Sequence, residues 1–470
     1  MKPLPLDFVK RMKSLLGEAG FERYEAALAE PSARALRVNT AKISAEEFER
    51  AVDFKVERIP YIENAYFFEC DRIGAHPFHH AGMIYVQECA AMMPAQSLEI
   101  GPDWKILDMC AAPGGKSTQL KNRLGENGLL VSNEIEPQRC RVLASNVERL
   151  GLKNTAVTCA SPDRIAEALP ETFDMIMVDA PCSGEGMFRK EEEAIEDWSL
   201  GNVRHCAERQ EHILECAYKS LKKGGYIVYS TCTFSLEENE MTVDGFLSRH
   251  PELELLPVNG EIRSHTEDGI RFDGCRCDNI TDARRFYPHT GKGEGQFMAL
   301  IHSTAEPSEE HSAEPEKRSK KGKKGSLESK KSQNTDFSSV ESFLKETLVS
   351  FDVASLKARG DRPVLFGADT DLKGLQTCTL ALGAEVGEVK PGYVQPSHAL
   401  FMAYGSDFKR KIDLKLGSEE LKKYLRGEQI EVDCEDGWAV ITVCGCALGG
   451  VKVVKGIAKN HYPKGLRAKS

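Results

Sequence analysis

The sequence predicts an α/β protein built on an open, mostly parallel, doubly wound sheet, with a small α/β unit before it and a β-rich module after it. Three observations carry this reading. Short apolar runs at 105–108, 129–134, 155–158, 173–178 and 226–230 alternate with longer helical patterns. The first run, Lys105-Ile106-Leu107-Asp108, leads into Gly114-Gly115 and then into Leu120 and Leu124 at i, i+4, which spells strand, glycine turn, helix. The second run ends in a carboxylate, Glu134, twenty positions after Gly114.

Taken in order, residues 5–29 read as one helix with an apolar stripe of Phe8, Met12, Leu15 and Leu16. Arg37-Val38-Asn39-Thr40, Phe54-Lys55-Val56 and Tyr66-Phe67-Phe68 read as short strands around a helix at 44–51. This unit, 1–88, is either a cap on the next domain or an RNA-handling surface with Arg37 and Asn39 as its candidates. A helix is expected from about Gln87, opening the central domain, 89–302. Glu136-Pro137 starts a helix that Gly151 ends. Another helix is expected at about 205–222 and a further one at 237–247, and 296–301 closes the domain as a strand. Residues 303–335 lose all apolar pattern, with eight Lys/Arg against three Glu between 313 and 331, which predicts a disordered basic linker. A folded pattern resumes over 336–404. Glycine-separated strands at 430–432, 438–443 and 451–454 then suggest a small β-barrel within 405–470. From 448 to 470 there are six Lys/Arg and no Asp/Glu, a basic edge suited to a phosphate backbone. The tether makes this module look separable from the rest.

Bulk properties narrow the class. At 470 residues the chain should hold two or three domains. A formal charge of −10 excludes a wholly basic nucleic-acid coat protein but leaves room for local basic surfaces. No apolar run is long enough for a signal peptide or a membrane span, so neither export nor a membrane is expected. The fifteen cysteines are scattered without any C-x-x-C pair, so reduced thiols are expected and a metal is not.

The glycine loop is neither G-x-G-x-x-G nor a P-loop, which disfavours a dinucleotide or nucleoside triphosphate. With Glu134 placed to accept two ribose hydroxyls, the expected cofactor is S-adenosylmethionine. Two further loops decide the chemistry. The run Met175-Ile176-Met177-Val178 enters Asp179-Ala180-Pro181-Cys182-Ser183-Gly184-Glu185-Gly186, and Ile227-Val228-Tyr229-Ser230 enters Thr231-Cys232-Thr233. Both cysteines leave the sheet at strand carboxyl ends, the side where such sheets bind ligands. Methyl transfer to nitrogen or oxygen needs no cysteine. Carbon 5 of cytosine does, because a thiolate adding at carbon 6 makes carbon 5 electron-rich. A carboxyl group can supply the compensating proton at ring nitrogen 3, and a second cysteine can serve product release.

These three loops resemble the signatures of the Sun-type RNA cytosine-5 methyltransferases, and among them the bacterial RsmF/YebU-like 16S ribosomal RNA enzymes. The likeness extends to Arg37-Val38-Asn39-Thr40, Tyr85-Val86-Gln87-Glu88, Arg285-Phe286-Tyr287-Pro288-His289, Gly293-Glu294-Gly295 and 459–467, nearly the whole chain outside the linker. It implies a Rossmann-like class I methyltransferase domain and a PUA-like C-terminal module. It implies Cys232 as the attacking thiolate, Cys182 as the group assisting product release, and Asp179 as the acid at the base, with Lys116 beside them. Cys110, Ala111, Ala112, Pro113, Gly114, Gly115, Lys116, Glu134, Arg139, Ser161 and Asp179 would line the cofactor site. Where the family carries an acid near the adenine, this chain reads Thr158-Cys159-Ala160-Ser161-Pro162-Asp163, so either the Ser161 hydroxyl or Asp163 is expected there. The expected partner is ribosomal RNA or the small ribosomal subunit, and the expected protein a cytoplasmic monomer. DNA cytosine-5 methyltransferases, which attack from the Pro-Cys loop, a non-catalytic assembly factor and an NAD-dependent oxidoreductase fit the residues less well.

Overall fold

A computed structural model describes residues 2–306, 337–368 and 372–468. Its centre is a ten-stranded sheet. Five parallel strands lie in the spatial order Leu221–Thr231, Phe173–Asp179, Lys105–Asp108, Leu129–Asn133, Thr155–Thr158. Gln296–Ser303 adds antiparallel beside Leu221–Thr231, and short strands at 253–256, 267–268 and 284–286 continue that side. The inner strands are buried along nearly their whole length, with apolar middles and polar residues at their ends, as strands covered on both faces are. Leu129–Asn133 is buried at all five positions, and Met175, Ile176, Met177 and Val178 are inaccessible to solvent. The strand order reverses between Lys105–Asp108 and Phe173–Asp179. Ligands of such sheets bind at the carboxyl ends beside that switch point.

The helix after Leu129–Asn133 runs Pro137–Leu150. Glu136 caps its N-terminus, and Gly151 ends it in the left-handed conformation, as the sequence predicts. The long helix is Leu200–Ser220, one turn earlier than expected because Ser199 caps it by accepting from the Asn202 N–H. Two helical expectations change. Leu6–Ala29 is broken at Gly17, whose φ of 69° is non-helical. From Gln87 there is only the single turn Cys89–Met92, because Pro94 stops the helix from continuing. Ahead of that turn, Ile84–Val86 is a strand, and it completes a four-stranded antiparallel sheet ordered 55–58, 65–69, 35–38, 84–86.

Beyond the gap, the strand Thr379–Leu382 pairs antiparallel with Thr155–Thr158 and so forms the outer edge of the central sheet. Residues 337–404 are therefore joined to the central domain rather than hung from it. The last module is a five-stranded sheet ordered 411–413, 437–443, 446–454, 457–460, 430–431, with the helix Glu419–Arg426 against it. Its core is continuous with that of the N-terminal unit. Leu36, Val38, Phe48, Phe78 and Ile84 pack in one cluster with Tyr424, Ile441, Leu448, Val451 and Tyr462. Tyr462 Oη lies 2.9 Å from His80 Nδ1, and the Cys446 thiol donates to the Lys42 carbonyl at 3.3 Å. The expected basic linker falls, from residue 307 on, outside the described residues, while 303–306 continue from the terminal strand. Among the described residues no helix is long and apolar enough to cross a membrane.

Candidate active site

The strand Lys105–Asp108 ends at the switch point, and the loop after it turns through Gly114 into the helix Gly115–Arg123. Gly114 has φ 111°, which an L-residue rarely adopts, and an added Cβ would sit 3.0 Å from Leu143. The loop is anchored from behind. The buried Asp108 accepts from Ser117 Oγ at 2.6 Å, and Ser132 Oγ donates to Ser117 at 2.9 Å. Burial pushes the Asp108 carboxyl up to about 7, the Ser117 bond opposing. Asn146 Nδ2 holds the Pro113 carbonyl at 2.9 Å, and Arg139 Nη2 holds that of Ala112 at 2.8 Å.

Glu134 follows Leu129–Asn133 and is almost wholly buried. One oxygen accepts from the Glu136 N–H at 3.0 Å, and the other lies 3.3 Å from Arg139 Nη1. Arg139 thus ties the glycine loop to Glu134. Burial, and then the neighbouring carboxylates, push the Cys110 thiol up. Ser161 caps the helix Pro162–Ala168, accepting from the Arg164 N–H, so its O–H remains able to donate toward the expected adenine. Asp163 does not reach round; it pairs with His212 at 3.0 Å.

The two cysteine loops meet. Asp179 and Ser230 are register partners on adjacent parallel strands, so Cys182 and Cys232, three and two residues further on, emerge side by side. Their sulfurs are 3.2 Å apart. Beside them Asp179 accepts from Ser230 Oγ at 2.7 Å and pairs with Lys116 Nζ at 2.8 Å. Lys116 comes from the first turn of the helix Gly115–Arg123 and is 8% exposed, whereas Asp179 is 34% exposed and open to a ligand. The Cys182 thiol is held well above its usual range, first by its hydrogen bond with the Cys232 sulfur and then by burial.

Residues that sequence reasoning missed hold this arrangement. Glu238, fully buried, accepts from the Ser183 N–H at 2.9 Å, from Ser183 and Ser235 hydroxyls, and from Gln210 Nε2 at 2.9 Å. It clamps one cysteine loop to the other. Glu185 repeats the device one step along, accepting from the Phe234 N–H at 2.8 Å and from Trp198 Nε1 at 2.9 Å. Gly186 lies so close to Gly295 and the Cys232 carbonyl that a Cβ there would meet them at 2.7 and 2.9 Å, which accounts for glycine in both G-E-G stretches. Asn133 joins three strand-end loops: its Nδ2 bonds the Met109 and Ala160 carbonyls, and its Oδ1 accepts from Thr158 at 2.9 Å. A polar residue at the end of a strand carries no sequence signal that separates such hubs from ordinary solvated positions.

Arg37 and Asn39 do not face RNA. Both are buried; Arg37 donates to Thr118 Oγ1 at 2.7 Å, and Asn39 bonds the Gly82 and Leu150 carbonyls. The basic C-terminal stretch does reach the surface. Lys452 and Lys459 are opposite one another on neighbouring strands, both exposed, with Lys455 in the turn between. Like charges directly opposite repel, and a phosphate would relieve them.

A family model described as 16S rRNA methyltransferase RsmB/F matches residues 95–302. The N-terminal domain of 16S rRNA methyltransferase RsmF matches 4–89, and the methyltransferase RsmF PUA domain matches 411–468. The chain belongs to the RsmB/F family of 16S rRNA methyltransferases. It is 29% identical over 481 residues to the ribosomal RNA small subunit methyltransferase F of Klebsiella pneumoniae, covering 98% of this chain and 96% of that one. With the namesake from Erwinia tasmaniensis it is 34% identical over 312 residues, and spans 64% of that relative's length. Among solved structures, a methyltransferase homolog protein from Pyrococcus horikoshii is 31% identical, with a TM-score of 0.56, over 63% of this chain and 94% of that one. Membership brings S-adenosylmethionine as the cofactor. The turn at Gly114, the donors of the following helix and the buried Glu134 suit its charged and ribose parts.

Proposed function

We propose that this chain methylates carbon 5 of a cytosine in 16S ribosomal RNA through a covalent cysteine–cytosine intermediate. The observation that carries the reading is the 3.2 Å approach of Cys182 and Cys232 beside the Lys116–Asp179 pair, at the strand ends where the glycine loop opens. Bound S-adenosylmethionine supplies the electrophilic methyl group. The chain's own residues do the rest. Cys182 is held well above its usual range and keeps its proton, so its S–H can donate to the Cys232 sulfur 3.2 Å away. The Cys232 sulfur forms a bond to carbon 6 as its thiol proton passes to the Asp179 carboxylate and from there to ring nitrogen 3, with Lys116 and Ser230 holding Asp179 in place. After carbon 5 is methylated, a base removes its proton, the ring double bond reforms as the carbon–sulfur bond breaks and the electron pair returns to the Cys232 sulfur, and nitrogen 3 gives its proton back to Asp179. Cys182 serves this last stage. The surface of Lys452, Lys455 and Lys459 fits the RNA backbone.

The test is a denaturing gel of each variant incubated with substrate RNA and S-adenosylmethionine. Cys232→Ala is expected to bind RNA yet neither methylate it nor form an adduct. Cys182→Ala is expected to methylate but accumulate a denaturation-resistant protein–RNA species. Asp179→Ala is expected to slow adduct formation by about 10²-fold or more. Adduct in the Cys232 variant alone would reverse the two roles, and full turnover in both would end the covalent reading.

A further inference from the structure

Away from the active site, one cluster brings together residues that the sequence holds 49 and 4 positions apart. Asp163 lies in the first turn of the helix Pro162–Ala168. His212 and Cys216 sit one turn apart on Leu200–Ser220, which packs against it. His212 Nε2 is 3.0 Å from Asp163 Oδ2; Cys216 Sγ is 3.7 Å from Asp163 Oδ1 and 3.8 Å from His212 Nε2. A proton relay would use both ring nitrogens of the histidine, one toward the thiol and one toward the carboxylate. Here the same Nε2 faces both, one carboxylate oxygen meets the nitrogen and the other the sulfur, and one donor atom from each residue lies within 4.8 Å of the other two.

The spacing within the cluster suits a metal ion. Bonds of about 2.3 Å to a thiolate, 2.05 Å to an imidazole and 2.0 Å to a carboxylate, at tetrahedral angles, separate sulfur from its neighbours by about 3.6 Å and nitrogen from oxygen by about 3.3 Å. The observed N–O distance to Oδ2, S–O distance to Oδ1 and S–N distance each depart from those by about 0.3 Å or less, so a small turn of the carboxylate brings one oxygen, the nitrogen and the sulfur to a common ion. The donor set also discriminates, because one sulfur and one imidazole suit zinc or cobalt(II) and not magnesium or calcium. Asp163 and His212 are 54% and 56% exposed, which gives an ion a path in and leaves room for a water as fourth ligand. Cys216 forms the buried floor.

We propose that Asp163, His212 and Cys216 form a site for a divalent transition metal of the zinc class. Binding releases the Cys216 thiol proton to solvent, and each residue gives one lone pair to the ion, with no change of oxidation state. Because the ligands come from two helices, the ion pins Pro162–Ala168 to Leu200–Ser220, two residues beyond Ser161 at the cofactor side.

Cobalt(II) is the probe, added to full-length protein carrying Cys182→Ala and Cys232→Ala so that the paired thiols of the active site cannot contribute. The expected result is a near-ultraviolet thiolate-to-cobalt charge-transfer band with the visible bands of tetrahedral cobalt, displaced by zinc. Adding Cys216→Ser is expected to abolish the charge-transfer band. Adding His212→Ala or Asp163→Ala, whose side chains are half exposed and whose loss spares the fold, is expected to weaken binding at least about tenfold. Absence of the band, or a band of unchanged intensity and affinity in the Cys216 and His212 variants, overturns the proposal.

Discussion

Each oxygen of Glu134 already has one protein partner, the Glu136 N–H or Arg139, and keeps a second lone pair for a ribose hydroxyl. Replacing Glu134 with alanine removes charge-assisted bonds of about 1.5–3 kcal/mol from cofactor binding and frees Arg139 from its anchor. Calorimetric titration of the variant with S-adenosylmethionine is expected to show that loss; an unchanged affinity would remove Glu134 from the site. Residues of this kind are legible in the sequence because each closes an apolar run at a fixed distance from a glycine turn. Cys182 and Cys232 are legible for the same reason. The residues that hold them are not: Glu238 and Asn133 look like ordinary polar positions until folding buries them and engages each side chain in four hydrogen bonds. Arg37 shows the converse, a cation that reads as an RNA contact and is spent inside the protein on Thr118.

Among the elements, the parallel strands and their helices follow directly from hydrophobic period, and their order follows from the rules for doubly wound sheets. Thr379–Leu382 escaped that reading because four residues of alternating character have no period to measure, and their partner lies far away in the sequence. The pairing changes what truncation should do. From composition alone, residues beyond the linker look removable. In the structure, a chain ending at 303 would bare the edge of Thr155–Thr158 and the apolar face that Tyr424, Leu448 and Tyr462 cover on the N-terminal unit. Such a chain is expected to aggregate on size-exclusion chromatography and to bind cofactor more weakly, since Thr158 also anchors Asn133. A monomeric fragment with full cofactor affinity would contradict this.

Across the whole molecule, the N-terminal unit and the C-terminal module are joined by a seam that contains half-buried imidazoles. Burial lowers His79 to about 3 and His398 to about 4, with Arg149 and Lys42 respectively adding like charge, and it lowers His80 as well. The folded seam therefore binds fewer protons than the unfolded chain, whose histidines titrate near 6.5. Its stability is complete above that value and is lost as pH falls toward about 4. Hydrogen exchange in the strand Cys446–Val454 is expected to accelerate over that window before the central sheet does; equal protection at pH 4 and pH 7 would rule the seam out as the weak point. A tether drawn from composition gave no hint of the seam, because the contacts that form it lie about 380 to 400 residues apart.

The edge strand has a consequence for biosynthesis. Thr155–Thr158 leaves the translating machinery about 220 residues before Thr379–Leu382 exists to cover it. At the usual 5–20 residues per second, this edge waits on the order of ten to forty seconds with its backbone donors and acceptors unpaired. During that interval it is a template for any other extended chain nearby. The final shape of the catalytic domain is thus set near the close of translation, and crowded polysomes are where misassembly should concentrate.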